Sequence, residues 1–271
     1  MSVHDEGQLD LRQDRPHTAR MYDWYLGGKD HYEVDRERAE EVARVFPTVA
    51  LAARVNRGFM HRVTDWLAGD AGIRQFIDIG TGIPTEPNLH QIAQGAAPSA
   101  HVVYVDNDPI VLAHARALMT GTSEGRTAYV HADVNEPKSI LSAPELLATI
   151  DLSKPVALSL IALLHFVPDD LDPHGTVATL LDALAPGSYL VLSHASPDFD
   201  AVTFERIDKI YRESGLATQF RTRAEFSRFF EGLTLVEPGI TVPHRWRPTD
   251  VDPPESLDAQ VSFYSAVAKK N

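Results

Sequence analysis

From residue 73 onward, short apolar runs alternate with segments whose apolar positions recur at helical spacing. The runs predict strands at 75–79, 101–106, 126–131, 155–162, 187–194, 233–237 and 261–269. Helical periodicity predicts helices at 85–95, 109–119, 174–185, 200–213 and 222–230. Strands separated in this way by helices pair in parallel, and the helices cover both faces of the sheet. Before the last strand lies a proline-rich connection with Pro243, Pro248, Pro253 and Pro254.

The front of the chain is patterned differently. Residues 1–15 are charged and lack apolar periodicity, which predicts a mobile end. Two helices are expected at 36–46 and 48–68, divided by Pro47. The first has its stripe at Ala39, Val42, Ala43 and Phe46; the second at Leu51, Val55, Phe59, Val63, Trp66 and Leu67. Ahead of them, residues 20–32 gather Tyr22, Trp24, Tyr25 and Tyr32 around Gly27 and Gly28, with Lys29, Asp30 and His31 just after. The expected organisation is a mobile end (1–15), a helical cap or lid segment (16–72) and an α/β domain (73–271).

Composition narrows the partners. The chain has 271 residues, of which 44% are hydrophobic and 23% charged, as in globular proteins. A formal charge of −13 argues against nucleic acid, because phosphate binding needs a basic face. There is no cysteine, which removes disulfides, thiolate nucleophiles and cysteine zinc sites together. The histidines form no His-x-x-x-His pair on an expected helix, so no metal is expected. Gly-x-Ser-x-Gly, the common hydrolase signal, is absent. The first ten residues are polar and acidic, and the longest apolar run, 155–167, is too short to span a bilayer. The expectation is a cytoplasmic protein with no membrane partner.

The chemistry centres on Phe76 to Thr85, an apolar strand end around Asp78 followed by Gly80 and Gly82. Glycines at that spacing let a strand-to-helix turn bring backbone close to a ligand. The second strand ends on Asp106, Asn107 and Asp108. A carboxylate there sits where it can accept hydrogen bonds from both hydroxyls of a ribose, with Asn107 near the base. Capping of the next helix by Asp106 and Asp108 is the alternative. The third strand ends His131, Ala132, Asp133, Val134. Asp133 is placed to meet an exocyclic amine and the Val134 N–H a ring nitrogen; an Asp-built turn before Asn135 and Pro137 is the other reading.

In the order of these strand ends the chain resembles the class I S-adenosylmethionine-dependent methyltransferases. Ala19 to Asp30, Asp78 to Thr85, Val103 to Pro109 and Leu164 to Asp169 are similar to segments of one bacterial S-adenosyl methyltransferase family, most of whose members have no assigned substrate. The match runs from about residue 19 to the last strand. It implies a Rossmann-like class I methyltransferase fold, a mostly parallel seven-stranded sheet with an N-terminal helical extension. It implies S-adenosyl-L-methionine as cofactor, with Gly80, Thr81 and Gly82 near the methionine portion and Asp78 orienting the turn or the amino group. Asp106 would hold the ribose, Asn107 border the adenine, Asp133 and Val134 read its edge, and Ala162 and Leu163 face the methionine side. Pro84 stands where the common methyltransferase turn has a third glycine, and Thr85 breaks the dinucleotide fingerprint Gly-x-Gly-x-x-Gly. The latter disfavours a pyrophosphate cofactor.

Methyl transfer is an in-line displacement, so positioning supplies most of what the protein contributes. His165, at the carboxyl edge of the sheet, is the candidate general base; a structural histidine is the alternative. Tyr22, Tyr25, Lys29 and His31 are candidate lid or acceptor-pocket residues, and Asn56 and Arg57 can reach the same mouth; anchoring of the N-terminal arm and an exposed helix face are the rival readings. The expected activity is methyl transfer to a small-molecule acceptor, with homo-oligomerisation left open. A non-catalytic nucleoside-binding protein and an NAD(P)-dependent oxidoreductase are the alternatives.

Overall fold

Alternation along the first strand sends Ile77 and Ile79 into one core and Phe76 into another, so that strand is covered on both faces. The computed structural model describes residues 13–111, 121–248 and 253–271. In chain order the helical front end is α1 (Thr18–Leu26), α2 (Glu33–Val45) and α3 (Val49–Gly69). Then follow β1 (Gln75–Ile79), α4 (Leu89–Ala96), β2 (His101–Asp106), β3 (Arg126–His131), α5 (Pro137–Ser142), α6 (Pro144–Thr149) and β4 (Ala157–Ile161). The chain closes with α7 (Pro173–Asp182), β5 (Tyr189–Ala195), α8 (Ala201–Glu213), α9 (Arg223–Ser227), β6 (Thr234–Leu235), α10 (Ser256–Val261) and β7 (Phe263–Lys269).

The strands form one seven-stranded sheet in the order β3-β2-β1-β4-β5-β7-β6. β1 to β5 pair in parallel, whereas β7 runs antiparallel to both β5 and β6. The order reverses between β1 and β4, and the carboxyl ends of those two strands open a crevice where α/β sheets bind ligands. This is the Rossmann-like class I methyltransferase fold.

Periodicity placed most elements within a few residues; the departures have local causes. The expected helix 85–95 begins only at Leu89, because Asn88 caps it: its side-chain oxygen accepts from Thr85 N, and Gln91 Oε1 accepts from Asn88 N at 2.6 Å. The strand expected at 233–237 shrinks to two exposed residues at the sheet edge. The aromatic glycine segment 20–32 includes most of α1, whose C-terminus is closed by Gly27. α5 and α6 were not anticipated; each begins at a proline in its first turn. The expected helix 109–119 and mobile end 1–15 fall largely on residues 112–120 and 1–12, which lie outside the described residues.

The helical front end does not stand apart from the sheet. Phe59, Met60, Val63 and Leu67 of α3 share one core with Phe76, Val102, Tyr104, Val191 and Val267. Only α1 and α2 rise above the sheet. They close a third apolar cluster with α8 and β7, through Met21, Tyr25, Val42, Phe204, Ile207 and Phe263. The cluster lies at the end of the sheet where the crevice opens.

Candidate active site

One cavity occupies the crevice, lined from the glycine corner of β1 through the ends of β2 and β4 to α1, α3 and α8. Gly80 has φ 73°, and a Cβ there would stand 2.7 Å from Leu163 Cδ1. The left-handed backbone therefore favours glycine, and any side chain there would also have to displace the Leu163 methyls. The Gly82 N–H donates to Asp106 Oδ2 at 2.8 Å, and Asp108 N donates to Asp106 Oδ1 at 2.9 Å. Each oxygen of this buried carboxylate thus accepts one backbone bond and keeps a lone pair for a ligand. Burial raises the Asp106 pKa against those two hydrogen bonds.

Asp78 leaves β1 on the α3 face. Ser159 Oγ, from the paired position on β4, donates to Asp78 Oδ1 at 2.7 Å, and Thr81 Oγ1 donates to the Asp78 carbonyl at 3.0 Å. Burial pushes the Asp78 carboxyl up to about 6, opposed by the Ser159 bond and the nearby Arg57 charge. Arg57 is itself held on α3 by donating to the carbonyls of Thr85 and Pro87. Beside it, Asn56 donates to Tyr22 Oη at 3.1 Å, and Tyr22 donates to Ala53 O at 3.0 Å, which fastens α1 onto α3. Asn56 Oδ1 is buried, with no hydrogen-bond partner in the protein.

Across the crevice, Ala162 adopts φ 54°, uncommon for a residue with a side chain, and its N–H donates to Ser193 Oγ at 3.0 Å. Backbone strain of this kind collects at functional sites. His165 follows, 5% exposed, its ring against Phe166 and Phe220 and 5.3 Å from that of His194. Burial, then His194 and Arg221, lower its pKa well below the usual histidine value. The imidazole is therefore neutral at pH 7 and a weak base.

Of the sequence candidates, Asp78, Gly80, Thr81, Gly82, Asp106, Asn107, Val134, Ala162, Leu163 and His165 all line this cavity, as do Tyr22, Tyr25, Asn56 and Arg57. Asp133, Lys29 and His31 do not. Asp133 accepts from Asn135 N at 2.9 Å and from Asn107 Nδ2 at 3.0 Å, so its carboxylate builds the turn and holds Asn107. Lys29 is exposed beyond the end of α1. His31 Nδ1 lies 2.9 Å from Asp23 Oδ2, and Asp30 N donates to the same oxygen. A Cβ at Gly28 would sit 1.9 Å from Asp23 Oδ1. The double-glycine segment thus wraps around the buried Asp23 carboxylate instead of entering the pocket.

Several lining residues carried no sequence signal. His17, Thr18 and Ala19 bring the start of α1 against the corner of Gly82 and Asp106. Arg20 anchors them: it is buried, 3.6 Å from Asp35 Oδ2 and 3.4 Å from Asp108 Oδ2, and Asp35 Oδ1 accepts from His17 N at 2.8 Å. Phe204, Ile207 and Tyr211 enter from α8, and Phe220 and Phe263 from more distant parts of the chain.

The model of a family described as S-adenosyl methyltransferase matches residues 4–271. The chain belongs to that family. It is therefore an S-adenosylmethionine-dependent methyltransferase, and the residues present fit the cofactor, since the buried carboxylate at the end of β2 retains acceptor capacity above a glycine turn. The chain is 48% identical to a DUF574 family protein from Streptomyces avermitilis of known crystal structure, with 96% of this chain and all of that one covered and a TM-score of 0.93. It is 37% identical to a candidate methyltransferase from Thermobifida fusca, over the whole of both chains, with a TM-score of 0.90. Among curated proteins none matches significantly.

Among the described residues of this methyltransferase, no group of three or more His, Asp and Glu side chains is placed to hold a metal ion. No helix among them is long and apolar enough to cross a membrane.

Proposed function

We propose that this methyltransferase acts on a small molecule enclosed beneath α1, α2 and α8. One observation carries the reading: the cavity runs from the glycine corner into an apolar chamber walled by Phe46, Phe166, Phe204 and Phe220. Roofed by the fold's own helices, the chamber suits a molecule that can be swallowed whole. A polymer would need an open groove.

In this reading Asp106 accepts from the ribose hydroxyls, with Asn107, Ala132 and Val134 along the adenine. Asp78, Arg57, Asn56 and Thr81 surround the amino-acid end, and Gly80, Ala162 and Leu163 border the sulfur. The cofactor supplies an electrophilic methyl group on a sulfonium. An acceptor lone pair would form the new bond to that methyl carbon, with the S–C bonding pair staying on sulfur. Any proton on the acceptor atom leaves to solvent or, through His165, to the protein. A neutral, weakly basic His165 suits an acceptor that needs little help in losing that proton. Helices over the chamber exclude water, which would otherwise solvate the nucleophile and compete with the in-line geometry.

The test is incubation with methyl-labelled S-adenosylmethionine and fractionated bacterial extract. Label appearing in the small-molecule fraction supports the reading. Label confined to protein or nucleic acid overturns it.

A further inference from the structure

The chamber's chemistry is more selective than its apolar character. The charged lining groups Arg57, Asp78 and Asp106 all belong to the cofactor corner. Beyond them, rings set at varied angles share the walls with Val42, Val49, Met60 and Ile207. Phe204 and Phe220 meet edge-on at 4.8 Å, Phe166 and Tyr211 lie 5.5 Å apart, and Phe46 and Phe204 lie 6.1 Å apart. Faces and edges presented together favour a flat π-system in offset or edge-on contact over a flexible alkyl chain. A charged acceptor would lose its hydration with no counter-charge in the chamber to replace it.

Two hydroxyls break this apolar wall. Tyr25 comes from α1 and Tyr211 from α8, their rings are 5% and 6% exposed, and both line the cavity. Tyr25 Oη is buried beside Tyr211 and has no hydrogen-bond partner in the protein. Its O–H is therefore available to a ligand oxygen in the cavity that both rings line.

Resting on the reading of this chamber as the acceptor's, we propose that the acceptor is a planar, uncharged aromatic molecule bearing an oxygen substituent, which Tyr25 and Tyr211 bind. Burial raises the pKa of Tyr25 well above that of an ordinary tyrosine and that of Tyr211 to about 12. Both therefore stay protonated at neutral pH and can donate. Because they come from α1 and α8, a ligand oxygen bridging them also ties the two roof helices together.

Calorimetric titration of the protein saturated with S-adenosylhomocysteine tests this with three probes: 2-naphthol, naphthalene and 1-decanol. The expected result is binding of 2-naphthol, with naphthalene weaker by about three- to tenfold, the worth of one buried hydrogen bond. 1-Decanol should be weaker than 2-naphthol. Tyr25→Phe and Tyr211→Phe should each shrink the naphthol–naphthalene difference while leaving S-adenosylhomocysteine affinity unchanged, which also shows that the variants fold. Decanol binding as tightly as naphthol, or a difference that survives in both variants, overturns the aromatic assignment and leaves the small-molecule reading standing. Failure of all three probes on cofactor-loaded protein overturns the aromatic assignment, whereas the small-molecule reading falls only if label from S-adenosylmethionine stays confined to protein or nucleic acid.

Discussion

Arg221 Nη1 lies 3.1 Å from His194 Nε2. His194 Nδ1 is 2.7 Å from the Ala195 carbonyl, so its proton sits on Nδ1 and Nε2 accepts from the guanidinium. Burial drives the His194 pKa down to about 3, and the ring stays neutral. The same guanidinium donates to the carbonyls of Leu164 and Val167 at 2.8 and 2.9 Å and to Asp169 Oδ1 at 2.6 Å. One buried side chain thereby fixes the turn that carries His165, and with it one wall of the pocket.

Arg221→Ala should therefore cost about 3 kcal/mol, because two buried carbonyls and His194 Nε2 lose their donor. Arg221→Lys should recover part of that, since an ammonium cannot span the same partners as the planar fork. Urea unfolding of the three proteins measures it. A loss below about 1 kcal/mol for the alanine variant would mean that the turn is held by other contacts.

Asp106→Ala removes both acceptor oxygens at the end of β2. The expected loss is about ten- to a hundredfold in S-adenosylhomocysteine affinity, the equivalent of a charge-assisted hydrogen bond or two. Circular dichroism should show the fold retained. Unchanged affinity in calorimetry would remove this carboxylate from the cofactor site.

At Gly80, alanine would need a left-handed backbone and would press on Leu163. Strain of about 1–3 kcal/mol should appear in unfolding. Binding should suffer more than stability, because displacement of Leu163 or of the turn moves the wall bordering the sulfur. Gly80→Ala protein that binds S-adenosylhomocysteine as the wild type does would show that the corner tolerates a side chain.

Asp78 makes the site sensitive to pH. Its carboxyl is raised from an ordinary 3.8 to about 6 by burial. The folded chain therefore holds this proton more tightly than the unfolded chain does. The resulting contribution to stability is present below pH 4 and is lost as pH rises through 6. On the proposed placement of the amino group at Asp78, ligand binding has the opposite slope, because a cationic amine pairs with the ionised form. Affinity should increase from pH 5 to pH 7 and level off above, and Asp78→Asn should flatten the profile. A wild-type affinity independent of pH over that range would separate Asp78 from the amino group.

Local pattern and local chemistry were enough for the sheet and for the corner of Asp78, Gly80, Gly82 and Asp106. Strand and helix periods are properties of neighbouring residues, and the candidate cofactor residues sit at strand ends that apolar runs mark directly. Asp133 shows the limit of that reasoning. It stands at a strand end but does not line the cavity, and its carboxylate accepts from Asn135 and Asn107, partners that apolar runs do not record. Lys29 and His31 fell outside the cavity for a similar reason: the buried Asp23 draws the glycine segment around itself.

By itself, then, the sequence determined the order of strands and helices, the cofactor corner, and resemblance to the family. Tertiary structure alone assembled the apolar chamber proposed to take the acceptor. Tyr25 and Tyr211 are far apart in the chain and meet only when α1 folds down against α8, and Phe46, Phe166 and Phe220 join them from separate elements. Each ring reads locally as ordinary core, because apolar periodicity records that a residue is buried and not what it is buried against.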